Sequence, residues 1–433
     1  MSINGAQLHG FNLDAEAELD PAIVPQGGPV DLAAPLHAVF LTGATGFVGA
    51  YLLRDLLEQT PAAVYCLVRA TSPEHGHQRI RKNLESYGIW NEHHAARVHA
   101  VVGDLKLPLF GLDEAVFNTL ADEMDSVYHC GSKLSYIAPF SWLKAPNVGG
   151  TQEALRMVTR GKPKPLHFVS SLGILLAYRD LEGGHESAPL DPTKCPNVGY
   201  FQTKYAAEAV VRAARDRGIP VSIHRIGLIV GDSRTGASNV DDFVARMLIG
   251  CIQAGYAPGV KSPMDMTPVD FVARAMVYLS QQPDSVGKVF HLLNPRPINW
   301  SSIFDMVAAF GYPVKKLPFT AWVDAIEQYA NPETNPLHPL LPFFHIDFAR
   351  RMLGVSDSAF MALGTADTQQ ALAPSGIVCP AIDDDLIYTF LSQFAYNGRL
   401  DWEPVRRRIP AASAISLSDS HDSPAAFGEG VGG

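Results

Sequence analysis

Cysteine is scarce in this sequence. Five are scattered over 433 residues (Cys66, Cys130, Cys195, Cys251 and Cys379), an odd number without a C-x-x-C pair. That spacing supports neither a disulfide framework nor a zinc site. No run reaches the roughly 18 uninterrupted apolar residues that a membrane span requires. Blocks of Lys and Arg are missing too, and 34 basic residues face 44 acidic ones for a formal net charge of −10. This argues against a protein whose main task is to grip phosphate backbones, so no nucleic-acid partner is expected. Residues 1–20 carry no basic start followed by an apolar stretch, so no secretory signal is read and a cytoplasmic location is the expectation. His93-His94 and His75-Gly76-His77 lack carboxylate or thiolate partners at ligand spacing. They read as solvated loop residues, and no metal is expected.

What is present is the composition of a soluble globular protein, 47% hydrophobic and 18% charged, which excludes extensive disorder. Near-continuous apolar runs at 38–41, 64–68, 98–102, 126–129, 166–170 and 221–226 alternate with helical patterns such as 46–57, 151–159 and 200–215. Repeated βα units of this kind predict an α/β fold, a doubly wound parallel sheet of Rossmann type with helices on both faces. After Ile226 the rhythm breaks: 231–265 is loop-rich around a short helix near 242–251, and 268–279 and 288–293 read as one more helix and strand. The organisation expected is a lead-in linker over 1–35, a dinucleotide-binding domain over 36–230 plus 266–294, a mostly helical substrate lobe over 231–265 plus 295–405, and a disordered tail over 406–433. Aromatic residues of the lobe would line an apolar channel or, for most of them, fill a helical core.

The first strand runs into Leu41-Thr42-Gly43-Ala44-Thr45-Gly46-Phe47-Val48-Gly49. Gly43, Gly46 and Gly49 permit a tight turn, close approach to a pyrophosphate and packing of the helix on the sheet. Thr45, Phe47 and Val48 share the helix start, whose N–H groups and dipole favour phosphate. The G-x-x-G-x-x-G spacing resembles that of short-chain dehydrogenases/reductases. The second strand ends Tyr65-Cys66-Leu67-Val68-Arg69, without the carboxylate that binds the NAD ribose. Arg69 is suited to a 2′-phosphate, so NADPH is the expected cofactor. Arg79 is either a second phosphate contact or an ordinary surface charge. Asp104 and Leu105 follow the third strand, where adenine would lie, and Tyr128-His129-Cys130-Gly131 ends the fourth strand beside the nicotinamide half.

Tyr200-Phe201-Gln202-Thr203-Lys204 places a phenol and an ammonium at i and i+4 on one helical face. A carbonyl receiving hydride needs a donor for the charge that develops on its oxygen. A neighbouring cation should lower the phenol's pKa, which gives Lys204 its role, together with holding the nicotinamide ribose. Ser171, at the end of the fifth strand, supplies a second donor, with Ser170 as the other choice. Asn147 either braces the site or merely starts a helix, and Cys130 reads as a packed small side chain.

These residues together resemble the thioester reductase domain that ends nonribosomal peptide and polyketide assembly lines, within the extended short-chain reductases. Carboxylic acid and aminoadipate reductases carry a similar domain. The resemblance runs from about residue 19 to 400. It includes Leu19-Asp20-Pro21, the 42–49 turn, Gly103-Asp104-Leu105, Asn147, Tyr200 and Lys204 with Ala207-Glu208, Gly231-Asp232-Ser233-Arg234-Thr235-Gly236, Asp265 to Asp270, and Cys379-Pro380. It implies NADPH-dependent reductive release of an acyl or peptidyl thioester from the phosphopantetheine arm of a carrier protein, as an aldehyde or onward as an alcohol. Ser171, Tyr200 and Lys204 would be the triad, with Arg69 and Arg79 at the 2′-phosphate. Departures from the family pattern are Cys130-Gly131-Ser132 for Asn-Gly-Ala, Leu134-Ser135 for Val-Asn, Arg225-Ile226-Gly227 for Arg-Pro-Gly, and Ser171 for Thr. No Gly-x-Asp-Ser-Leu carrier motif is present, so the carrier is expected on another chain or upstream. An acyl-CoA reductase, a nucleotide-sugar epimerase or dehydratase, and a non-catalytic NADP-binding regulator are the competing readings.

Overall fold

A computed structural model describes residues 12–406 apart from 27, 29, 33, 177–183 and 355–362. Seven strands form one parallel sheet: β1 Ala38–Thr42, β2 Ala63–Val68, β3 Val98–Val102, β4 Ser126–His129, β5 Leu166–Ser171, β6 Val221–Ile226 and β7 Val289–Leu292. Their order is β7-β6-β5-β4-β1-β2-β3, the doubly wound arrangement predicted from the apolar runs. The helices that follow are α1 Phe47–Gln59, α2 Pro73–Ser86, α3 Glu114–Glu123, α4 Phe140–Lys144, α5 Gly150–Thr159, α6 Gly199–Asp216, α7 Phe243–Ala254, α8 Val269–Ser280, α9 Trp300–Phe310 and α10 Phe319–Tyr329.

Alternation along β1 shows how both faces are covered. Val39 and Leu41 join the core formed with α1 and α8, whereas Phe40 joins the one formed with α3, α5 and α6. A strand buried on both sides has no polar face, which is why it reads as a continuous apolar run. In register, Thr42 at the end of β1 lies beside His129 of β4 and Leu67 of β2. The strand ends therefore open onto one edge, where chemistry gathers in such sheets.

The lead-in stretch is fastened to the α5/α6 side. Leu13, Leu19 and Ile23 are buried there, Asp20 pairs with Arg156 at 2.6 Å, and Arg217 donates to the carbonyls of Leu19, Asp20 and Ile23. Residues 407–433, most of the expected tail, lie outside the described residues. The second lobe has its own core, in which Trp300 and Trp322 are fully buried with Phe304, Phe344 and Phe390. Most of its aromatics thus fill a helical interior. Among the described residues, no helix is long and apolar enough to cross a membrane.

Candidate active site

A cavity of about 740 Å³ lies at the carboxyl ends of the strands, between the sheet and the second lobe. Its floor is the glycine turn. Gly43 has φ +87°, and a Cβ there would stand 2.8 Å from the Gly131 nitrogen; one on Gly49 would lie 2.0 Å from the Gly43 carbonyl oxygen. Neither position accepts a side chain without backbone movement. The turn is also held from α2, where Asn83 Nδ2 donates to the carbonyls of Ala44 and Gly46 at 3.2 and 3.4 Å. Thr45, Gly46, Phe47, Val48 and Gly49 all line the cavity with the start of α1. The close-packed backbone and the helix N-terminus fit a dinucleotide pyrophosphate.

A hydrogen-bond chain fixes the neighbouring strand end. Thr151 Oγ1 donates to the Asn147 carbonyl at 2.7 Å and so accepts from His129 Nε2, 3.1 Å away. His129 Nδ1 then accepts from the Thr42 hydroxyl at 2.8 Å, and Thr42 Oγ1 accepts the Gly131 N–H at 2.9 Å. This assigns one tautomer of a neutral imidazole, and burial, then the Lys204 charge, push its pKa down to about 3.

The expected cofactor residues separate. Arg69, exposed at the end of β2, lines the cavity with Asp104 and Leu105. Arg79 is not in that lining; its guanidinium donates to the main-chain carbonyl of Arg69. It therefore grips the loop that carries Arg69.

Ser171, Tyr200 and Lys204 are all brought to the cavity wall. Ser171 Oγ accepts the Gly173 N–H at 3.0 Å, which leaves its own O–H to donate. Ser170 is engaged elsewhere, its buried hydroxyl donating to Glu208 at 2.6 Å. Lys204 Nζ donates to the Val169 carbonyl at 2.6 Å and stands 4.7 Å from the Phe168 ring centroid. Burial pulls its pKa from 10.5 down to about 8. The Tyr200 phenol differs from the expectation of a pKa lowered by Lys204. Burial pushes it up, a hydrogen bond with Ser132 partly offsets this, and Cys130 and Asp242 raise it further. The reason is desolvation: the Lys204 amine is itself buried and held by a carbonyl, so the phenol stays protonated.

Asn147 acts as a brace. It sits in a π-helical turn, Ala145–Gly149, which contains Pro146, a residue without an N–H to donate. Its Oδ1 accepts the Lys133 N–H at 2.7 Å, and its Nδ2 donates to the Lys133 carbonyl at 3.0 Å and to Thr203 Oγ1 at 2.9 Å. The loop over the cavity is thereby tied to α6, one turn from Tyr200.

Set beside known proteins, this arrangement has a clear match. The terminal R domain from the myxalamid PKS-NRPS pathway superposes with a TM-score of 0.84 at 40% identity, covering 90% of this chain and 98% of that one. The chain belongs to the family of terminal reductase domains of peptide and polyketide synthases. The NAD-binding family model described as "Male sterility protein" matches residues 41–276. A linear gramicidin synthase protein of Brevibacillus parabrevis is 37% identical over 403 residues, 91% of this chain and 8% of that protein. L-2-aminoadipate reductase large subunit of Penicillium chrysogenum is 37% identical over 326 residues, 71% of this chain and 23% of the relative. The chain thus spans less than a quarter of these curated relatives.

Several wall residues of this reductase domain carried no signal in the sequence. Ser132 was visible only as a departure from the family's Ala, yet it lines the cavity with Tyr200 and acts to lower the phenol's pKa. Tyr136 sits in a loop, and its ring lies 6.3 Å from that of Tyr200 and 5.2 Å from that of Phe343. Asp242 comes from the second lobe. Only tertiary contact brings these three together.

Proposed function

We propose that this domain is an NADPH-dependent thioester reductase that releases an acyl or peptidyl group from the phosphopantetheine arm of a carrier protein as an aldehyde. The observation that carries the reading is the gathering of the 43–49 turn, Arg69, Ser171, Tyr200 and Lys204 around one cavity. Family membership supports the assembly-line setting. NADPH, when bound, supplies the hydride. Tyr200 and Ser171 hold the carbonyl oxygen by hydrogen bonds, and the Tyr200 phenol gives it a proton as the carbonyl carbon gains hydride. The resulting hemithioacetal loses its hydroxyl proton as the C–S bond breaks, and the sulfur leaves as the pantetheine thiol. Lys204, charged near neutral pH, stabilises negative charge at this edge of the cavity.

The deciding experiment supplies an acyl-pantetheine or acyl-carrier thioester with NADPH, follows cofactor oxidation by absorbance and identifies the products. Aldehyde, or alcohol after a second round, is expected. NADPH binding without turnover of any thioester would refute the reading and favour a regulator. Acyl-CoA turned over as well as the carrier-bound substrate would move the assignment to an acyl-CoA reductase.

Two further outcomes are expected. Arg69→Ala should lower the preference for NADPH over NADH, as a ratio of kcat/KM, by about tenfold or more, the worth of a charge-assisted contact; an unchanged ratio removes Arg69 from the 2′-phosphate site. The pH profile should fall on its alkaline side as pH rises through about 8, where Lys204 loses its proton. Lys204→Arg, which stays charged, should shift that limb upward if the enzyme remains active. A limb that stays near 8 in the variant belongs to another group.

A further inference from the structure

Among the described residues, three carboxylates stand in the cavity wall: Asp104, Asp242 and Asp265. Two are engaged by the chain's own backbone. Asp104 Oδ1 accepts the Lys106 N–H at 3.0 Å, and Asp265 Oδ2 accepts the Leu228 N–H at 3.0 Å and the Thr267 hydroxyl at 3.2 Å. Asp242 is different. It immediately precedes α7, where an aspartate ordinarily caps the free N–H groups of the first turn, yet its side chain makes no capping bond. Among the described residues its carboxylate is hydrogen-bonded by Asn239 Nδ2, 2.8 Å from Oδ1. The nearby Arg246 turns instead to Asp241 and the Pro336 carbonyl.

The surroundings are aromatic. Phe243 follows directly, its ring 6.0 Å from those of both Tyr136 and Phe343, and Tyr136 continues this wall to Tyr200. Burial pushes the Asp242 carboxyl up to about 7, and its charge acts on the phenols of Tyr136 and Tyr200. A carboxylate recessed among rings and held by a single amide carries a desolvation cost that the fold offsets poorly. A cationic ligand group would offset it through a charge-assisted bond. Asn239, three residues earlier in the loop, orients the carboxylate without neutralising it, and the charge of Arg246, which makes no hydrogen bond to it, offsets the burial only in part.

We propose that Asp242 is the specificity-determining residue of the acyl site, selecting a chain that carries a basic amine close to the thioester carbonyl. This inference rests on the thioester reductase reading for the identity of the ligand. It goes beyond that reading by naming the chemical class of the acyl group and the side chain that reads it.

The test uses the full chain with NADPH present and two non-reactive pantetheine thioethers of equal length, one bearing a primary amine and the other a methyl group in its place. Calorimetry should show the amine analogue binding more tightly to the wild type by about tenfold or more. Asp242→Asn should bring the ratio of the two affinities towards one, and Asp242→Glu should restore part of it. Thermal denaturation of both variants checks that they fold. Equal binding of the two analogues by the wild type, or an unchanged ratio in a folded Asp242→Asn, would overturn the proposal. The corresponding thioesters give the second readout. Discrimination in binding without oxidation of NADPH by either thioester would sink the reductase reading and leave Asp242 as the amine contact. Reduction of both thioesters with equal kcat/KM, together with equal analogue binding, would leave the reductase and remove Asp242 from its specificity.

Discussion

Replacing Tyr200 by phenylalanine is expected to cut kcat for thioester reduction by about 10²- to 10⁴-fold, the range that a positioned proton donor contributes. In the proposed reaction, as hydride reaches the carbonyl carbon the oxygen would become an alkoxide unless a donor stood beside it, the part assigned to the phenol and the Ser171 hydroxyl, both in this wall. Only the phenol is well placed on chemical grounds to give up its proton, because a phenol is far more acidic than an aliphatic alcohol. The structural change is small by comparison. The ring keeps its contacts with Tyr136 and Phe201. A stopped assay with mass-spectrometric quantitation of aldehyde measures the rate, and thermal denaturation checks the fold. A folded Tyr200→Phe that retains activity within a few-fold of wild type would remove the phenol from the chemistry.

The raised pKa of Tyr200 bears on how such a site works. At neutral pH the phenol is protonated even at its ordinary pKa of about 10; burial raises it further, so the proton would leave only as negative charge develops on the carbonyl oxygen. Burial acts on Lys204 in the opposite sense, because there the desolvated form is the ammonium, and the value near 8 leaves it mostly charged at neutral pH. Both groups thus carry their protons at neutral pH, the states that the proposed hydride addition would require.

How much of this could be read from the sequence follows from the range of each interaction. The strands were legible almost to their ends because burial on both faces leaves an unbroken apolar run, and β4 and β6 match the expected 126–129 and 221–226. Gly43 and Gly49 were legible because backbone proximity admits no other residue. Tyr200 and Lys204 were legible as a pair through helical spacing. Titration was not. Whether a cation lowers a neighbour's pKa depends on what else touches it, and the Val169 carbonyl at Lys204 comes from another element, 35 positions away. Arg79 was indistinguishable from a surface charge because its partner is a main-chain carbonyl, which has no sequence signature. Asp242 was visible only as the start of the short helix expected near 242–251, and the missing capping bond shows only in the fold.

Glu208 and Arg225 appeared in the sequence only as parts of the family pattern, yet they carry the second large prediction. Both side chains are fully buried. Glu208 receives Arg225 at 2.6 Å, Arg212 at 2.9 Å and the Ser170 hydroxyl at 2.6 Å. Burial alone would raise its carboxyl; the two guanidinium groups and the hydroxyl outweigh it and hold it down to about 2. Arg225 reaches on to His291 Nε2 at 3.0 Å, while His291 Nδ1, 2.8 Å from the Gly364 carbonyl, donates there. Glu208→Ala should therefore destabilise the fold by about 3–5 kcal/mol, because it leaves a buried guanidinium unpaired. Combining Glu208→Leu with Arg225→Met should recover only part of that loss, since Arg225 is no longer left uncompensated but Arg212, 2.9 Å from Glu208 in the wild type, still loses its carboxylate. Denaturant titration of the single and double variants measures both, and a Glu208→Ala cost below about 1 kcal/mol would contradict the buried-charge argument. The pH dependence has a fixed sign. With a folded pKa near 2 against 4.5 for the free group, the Glu208 contribution is complete above 4.5 and is lost as pH falls towards 2. Because this carboxylate ties Ser170, the neighbour of Ser171, to the helix that carries Tyr200 and Lys204, Glu208→Ala should also lose activity under conditions where it remains folded.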